Sequence, residues 1–97
     1  MPRRLVKDHA AEEDLIGIWL YSHRNWGQAQ ADRYMNAIEA GMKVILKAPD
    51  EGLNLEHIRR GYWSTRVQHH VAFYTFNSRE LRIRRVLHEV MDPERNL

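Results

Sequence analysis

At 97 residues the chain has room for one compact domain, residues 1–97, and not for two. Its 43% hydrophobic and 29% charged residues exclude a disordered chain, and the absence of cysteine excludes disulfides and thiol chemistry. The net charge of +2 is a balance: +3 over residues 1–7, −5 over residues 8–56, +6 over residues 57–88 and −2 over residues 89–97.

Arg3 to Lys7 reads as a short extended segment, and Asp8 stands where a helix N-cap belongs. Beyond it Ala11, Leu15, Ile18 and Trp19 recur at helical spacing. Ile16 and Leu20 widen that stripe to roughly 200°, which one packed neighbour cannot cover. The first helix is therefore covered on two sides or keeps part of its face for a partner. Asn25-Trp26-Gly27 ends it, with Gly27 as the positive-φ residue past the helix.

A second helix is predicted from about Gln28 to Lys47, roughly 30 Å long at the helical rise. Its stripe of Ala31, Tyr34, Met35, Ile38, Met42, Ile45 and Leu46 is about 120° wide, enough for one packed face. Glu39 and Lys43 have the spacing of an exposed i,i+4 ion pair, and Pro49 and Gly52 stop the helix.

The period then changes. Tyr62 to Val67, His70 to Phe76 and Glu80 to Leu87 are rich in aromatic and β-branched residues, with Asn77-Ser78 as the turn between the last two. A tight turn at Gln68-His69 needs positive φ, which neither residue supplies as easily as glycine. Leu81 and Ile83 alternate with Arg82 and Arg84, and Arg85 then falls on the apolar phase, a slip that predicts a bulge. The order is βααβββ, an α+β fold in which an αα-hairpin packs on a small, mostly antiparallel four-stranded sheet.

No two of the six histidines have the i,i+4 spacing of a helical metal site, and His69 and His70 point to opposite sides of a strand, so no metal or cofactor is expected. Ser22, Ser64 and Ser78 lie in no hydrolase motif, and no glycine-rich phosphate loop is present. Glu12, Glu13 and Asp14 read as acids of a first helical turn, favoured there by the helix dipole. Arg59, Arg60, Arg66, Arg82, Arg84 and Arg85 are interleaved with Tyr62, Trp63, Tyr74 and His88. Such a set grips and stacks single-stranded RNA, or equally forms a solvated sheet face that docks acidic side chains. No apolar run nears the roughly 18 residues of a membrane span, and no signal-peptide stretch follows the first residues, so a cytoplasmic protein is expected.

Arg85-Val86-Leu87-His88 followed by Met91-Asp92 resembles the C-terminal signature of the ParE branch of the RelE/ParE toxin superfamily. Residues 14–21 resemble that family's first helix, Trp26-Gly27 its interhelical turn, residues 29–34 the opening of its second helix and residues 49–52 the exit from it. Ile58 to Tyr62 and His70 to Tyr74 resemble its central strands, so the likeness runs nearly the whole chain in order. The resemblance implies a plasmid-stabilising toxin of a type II toxin–antitoxin module that poisons DNA gyrase by binding, with no catalytic residues. It implies neutralisation by a ParD-like antitoxin seated on Leu15, Ile16, Trp19, Leu20, Arg82 and Arg84, and target contacts from Arg59, Arg60, Arg85 and His88. It implies no sequence-specific DNA binding by this chain. The RelE branch supplies the alternative, a ribosome-dependent mRNA endonuclease using His88, Arg60, Arg66 and Arg84. Glu89 stands where some of those nucleases carry a tyrosine, and a lysine-rich stretch before the second strand is missing. A degenerate, non-toxic member is the third reading. Two departures from the ParE pattern are Gln68, where a turn glycine is common, and the acidic tail of residues 89–93.

Overall fold

The change of hydrophobic period along the chain separates a helical layer from a sheet. In the computed structural model, which describes residues 2–97, β1 (Arg4–Lys7) leads into α1 (His9–Trp26) and α2 (Gln28–Lys47). A 3-10 turn at Pro49–Glu51 and β2 (Leu53–Asn54) precede β3 (Trp63–Val67), β4 (His70–Phe76), β5 (Glu80–His88) and the one-turn α3 (Pro93–Asn96). The strand order is β1-β5-β4-β3-β2, with β1 parallel to β5 and every other pairing antiparallel. No helix among the described residues is long and apolar enough to cross a membrane.

The α+β architecture and the order of its main elements are as the sequence predicts, but the sheet has five strands and not four. The added strand, β2, is two residues long and pairs Leu53 with Ser64 and Asn54 with Trp63. Two residues carry no readable period. The bulge predicted from the slip at Arg85 is present. Phe73 pairs with Arg85 and Tyr74 with Ile83, so Arg84 is the extra residue. The insertion returns Val86 to the helix side of the sheet and turns Leu87 to the other side.

Two side chains do other work than their positions suggested. Asp8 holds the extended N-cap backbone but makes no cap hydrogen bond; its carboxylate accepts from Arg82 Nη1 at 2.9 Å and Arg84 Nη1 at 3.1 Å. Glu39 pairs with Lys7 Nζ at 2.9 Å, tying α2 to β1, rather than with Lys43. Gly27, at φ 87°, both ends α1 and begins α2: its N–H reaches the His23 carbonyl at 2.9 Å and its carbonyl accepts from Ala31 at 3.1 Å.

The core has two parts. Ala11, Leu15, Ile38, Met42 and Ile45 from the helices meet Val67, Ala72, Tyr74, Leu81, Ile83 and Val86 on one sheet face. On the opposite face Leu55, Phe73 and Leu87 form a smaller cluster under Ile58, Tyr62 and Leu97. The second face is therefore partly covered by the 55–62 loop and the C-terminus, not left as a solvated arginine wall. Tyr74 anchors the exit from α2, donating its hydroxyl to the Pro49 carbonyl at 2.6 Å; burial pushes its pKa up to about 12.

Candidate functional site

Where β5 runs beyond the end of β1, the sheet and the helical hairpin diverge and leave a cleft of about 780 Å³. Ile18, Tyr21 and Trp26 of α1 form its apolar side, with Val86 and Met91 across from them. Tyr34, His69, His70 and His88 form its polar floor.

The floor is ordered by one tyrosine. The Tyr34 oxygen accepts the His69 backbone N–H at 3.1 Å, and the same hydroxyl shares a hydrogen bond with His70 Nδ1 at 2.6 Å. Burial lowers the His70 pKa, and the neighbouring His88 and His69 lower it further, against an opposing pull from Glu89. Burial raises the pKa of Tyr34, so both members of this hydrogen bond are held neutral. The His88 ring meets His70 edge-on at 5.3 Å, and its Nδ1 accepts the Val90 N–H at 3.3 Å. Glu89 bonds Arg66 and stands 3.5 Å from His69 Nδ1. The acidic tail thus has internal partners: Glu89 clamps β5 to β3, and the Asp92 carboxylate caps α3 through the Glu94 N–H at 3.0 Å.

The arginines of β5 are engaged inside the fold. Arg82 bonds Asp8 at 2.9 Å and Glu80 at 3.1 Å, while Arg84 bonds Asp8 and the Thr75 hydroxyl at 3.2 Å. Burial alone would raise the Asp8 carboxyl, but the hydrogen bonds from Arg82 and Arg84 hold it below its ordinary value. Arg85 grips Asp14 at 2.7 and 3.0 Å and donates to the Asn96 carbonyl at 3.1 Å. Asp14 is therefore an inter-element anchor and not a solvated first-turn acid. Arg59 lies over the Tyr62 ring at 5.1 Å, and Arg60 is exposed on the same loop.

Of the four residues that an endonuclease would need together, His88 alone lines the cleft; Arg66 is held by Glu89, Arg84 by Asp8, and Arg60 stands on the 55–62 loop. Of the four residues read as target contacts, Arg85 and His88 border the cleft and Arg59 and Arg60 do not. Among the described residues no three His, Asp or Glu side chains are placed to hold a metal ion. On α1, Leu15 is buried in the core, and Trp19 is half-buried with its indole N–H on Asp32 at 2.9 Å. Ile16 and Leu20 are 60% and 50% exposed, and with the exposed Tyr21 and Trp26 they make the free apolar surface of this helix. Tyr34 and His70 escaped the sequence reading. One sits within an apolar helical stripe, and the other looked like half of an uninformative histidine pair.

A profile of the family described as ParE toxin of type II toxin-antitoxin system, parDE, matches residues 6–93. Toxin ParE1 of Caulobacter vibrioides is 37% identical over 96 residues, covering 99% of this chain and 97% of that protein. Toxin ParE1 of Mycobacterium tuberculosis is 31% identical over 98 residues, the full length of both. Among solved structures, a chain of the chromosomal ParDE system from P. aeruginosa superposes with a TM-score of 0.78 at 17% identity, covering 90% of this chain and 96% of that one.

Proposed function

The chain belongs to the ParE toxin family of type II toxin–antitoxin systems, and from that premise we propose that it inhibits DNA gyrase by binding and is neutralised by a ParD-like antitoxin in the cytoplasm. The observation that carries the reading is the state of its arginines. A phosphodiesterase needs cations free to meet phosphate beside its acid and base. Here Arg66, Arg84 and Arg85 are already paired with Glu89, Asp8 and Asp14. A stoichiometric inhibitor needs shaped surface instead. The exposed Ile16 and Leu20 on α1, beside a cleft with an apolar wall, supply it.

In this reading a disordered antitoxin segment folds along the toxin, laying apolar residues over Ile16 and Leu20. Arg59, Arg60 and His88 are left as target contacts.

Gyrase supercoiling and cleavage assays with the purified chain, run beside a translation mixture read for mRNA cuts, test the proposal. Loss of supercoiling with accumulated cleaved DNA is the expected result. Gyrase left untouched while mRNA is cut at the ribosome overturns it. His88→Ala provides a second readout: a contact contributes roughly 1–3 kcal/mol to binding, so inhibition should weaken by about 5- to 150-fold. A loss well beyond that range would mark His88 as catalytic.

A further inference from the structure

The paired state of the β5 arginines moves the free positive charge of the molecule elsewhere. Arg3 and Arg4, Lys43 and Lys47, and Arg79 come from three separate stretches of the chain, yet the fold gathers them at one end. The Arg4 N–H bonds the Arg79 carbonyl at 2.9 Å, and Arg3 Nε bonds the Asn77 carbonyl at 2.7 Å. Arg3, Lys43 and Lys47 line one shallow depression with Pro2 and Leu46 between them. Among the described residues none of the five is in an ion pair, whereas Lys7, one residue row further in, is neutralised by Glu39.

We propose that this end of the molecule, Arg3, Arg4, Lys43, Lys47 and Arg79, binds the phosphate backbone of a nucleic-acid duplex without reading its sequence. The helix dipole accounts for a lysine in the last turn of α2, but not for Arg3 in the same depression, nor for Arg4 of β1 and Arg79 of the β4–β5 turn, which the backbone brings to the same end. Like charges gathered without counter-ions repel one another and destabilise the fold unless an anion meets them. The surrounding surface favours phosphate over an acidic protein segment. Of the exposed large apolar side chains, only Val44 adjoins these cations along the helix. A protein interface centres on buried apolar and aromatic anchors, whereas phosphate contacts need separate cations on a rigid frame and no pocket. The inference does not rest on gyrase being the target, and a chain inactive on gyrase would still show or lack this binding.

The test is anisotropy of a fluorescent 20-base-pair DNA duplex of arbitrary sequence, titrated with the full chain between 50 and 200 mM salt. Five phosphate contacts predict a log–log salt slope of about −4.5, an affinity loss of about 500-fold over that range. The triple variant Arg4→Gln, Lys43→Gln, Lys47→Gln should reduce the slope to about −1.8, a loss of about 12-fold. The single variants Arg4→Gln and Lys47→Gln should each reduce it by about 0.9. Arg59→Gln with Arg60→Gln should leave it unchanged. No binding at 50 mM salt overturns the proposal, as does an unaltered slope in the triple variant or an equal change in the Arg59/Arg60 variant. A poly-glutamate peptide of matching charge that binds as tightly as the duplex also overturns it and points to an acidic protein partner.

Discussion

Asp14 on α1 and Arg85 on β5 form a two-point ion pair, at 2.7 and 3.0 Å, across 71 residues of chain. The same carboxylate accepts the Val86 N–H at 2.9 Å, so one side chain neutralises a bulge-displaced arginine and satisfies a β5 donor beyond the end of β1. Arg85 in turn holds the Asn96 carbonyl, which links α1, β5 and the C-terminus through one guanidinium. Removing one partner of such a pair leaves the other desolvated and unpaired, a larger cost than the net worth of the pair. Asp14→Ala should destabilise the chain by about 2 kcal/mol, and Asp14→Asn, which keeps an acceptor for Val86, by about half as much. Urea midpoints at constant m-value measure both.

Acidification should weaken the fold in two separate steps. His70 is held below its ordinary pKa of 6.5 by burial and by His88 and His69. The unfolded chain therefore takes up this proton first. The stabilisation is full above pH 6.5 and is lost as pH falls through the folded value. Asp8 is held below 3.8 by Arg82 and Arg84, so its contribution persists above pH 3.8 and disappears only below it. Urea midpoints should fall from pH 7.5 to 5.5 in the parent. In His70→Asn, which retains an acceptor for the Tyr34 hydroxyl, that step should flatten. Asp8→Asn should leave it in place and remove the step below pH 4.

Two glycines separate packing from helix propensity. At Gly52 an added Cβ would stand 2.0 Å from the Tyr74 hydroxyl and 2.7 Å from the Ser64 carbonyl oxygen. The backbone there is extended and imposes no requirement for glycine, so the constraint is close approach alone. Gly52→Ala should break the Tyr74–Pro49 hydrogen bond and part β2 from β3, costing about 3 kcal/mol. Gly17, in the middle of α1, has nothing within 4 Å of its missing Cβ. Gly17→Ala should stabilise the chain by about 1 kcal/mol, the difference in helix propensity. Thermal midpoints should therefore move in opposite directions.

The helices and the three long strands were legible because their apolar period is local. The slip at Arg85 even located the bulge, since a change of phase within one strand needs no knowledge of its neighbours. What long-range pairing decides was not legible. Asp8 and Asp14 look like ordinary acids at a helix start. Their arginine partners lie 74 and 71 residues away, and only the parallel docking of β1 on β5 brings them together. The charge map misled for the same reason. The +6 of residues 57–88 suggested a free cationic face, yet Arg66, Arg82, Arg84 and Arg85 are neutralised in place. The Tyr34–His70 hydrogen bond joins α2 to β4 across 36 residues and has no signature in either segment.

The breadth of the α1 stripe can be tested residue by residue. Leu15 belongs to the core, so Leu15→Ala should cost about 2–4 kcal/mol in folding whatever the partner. Ile16 and Leu20 face solvent in the free chain, where Ile16→Glu and Leu20→Glu should alter stability by no more than about 0.5 kcal/mol. If a ParD-like antitoxin covers them, each substitution buries an unpaired carboxylate in the complex. The dissociation constant should then rise at least about tenfold, or roughly 1.4 kcal/mol. Calorimetric titration with the antitoxin, beside urea denaturation of the free variants, separates the two effects. Unchanged affinity in both glutamate variants would place the antitoxin elsewhere, and the exposed pole of α1 would then lose its assigned partner.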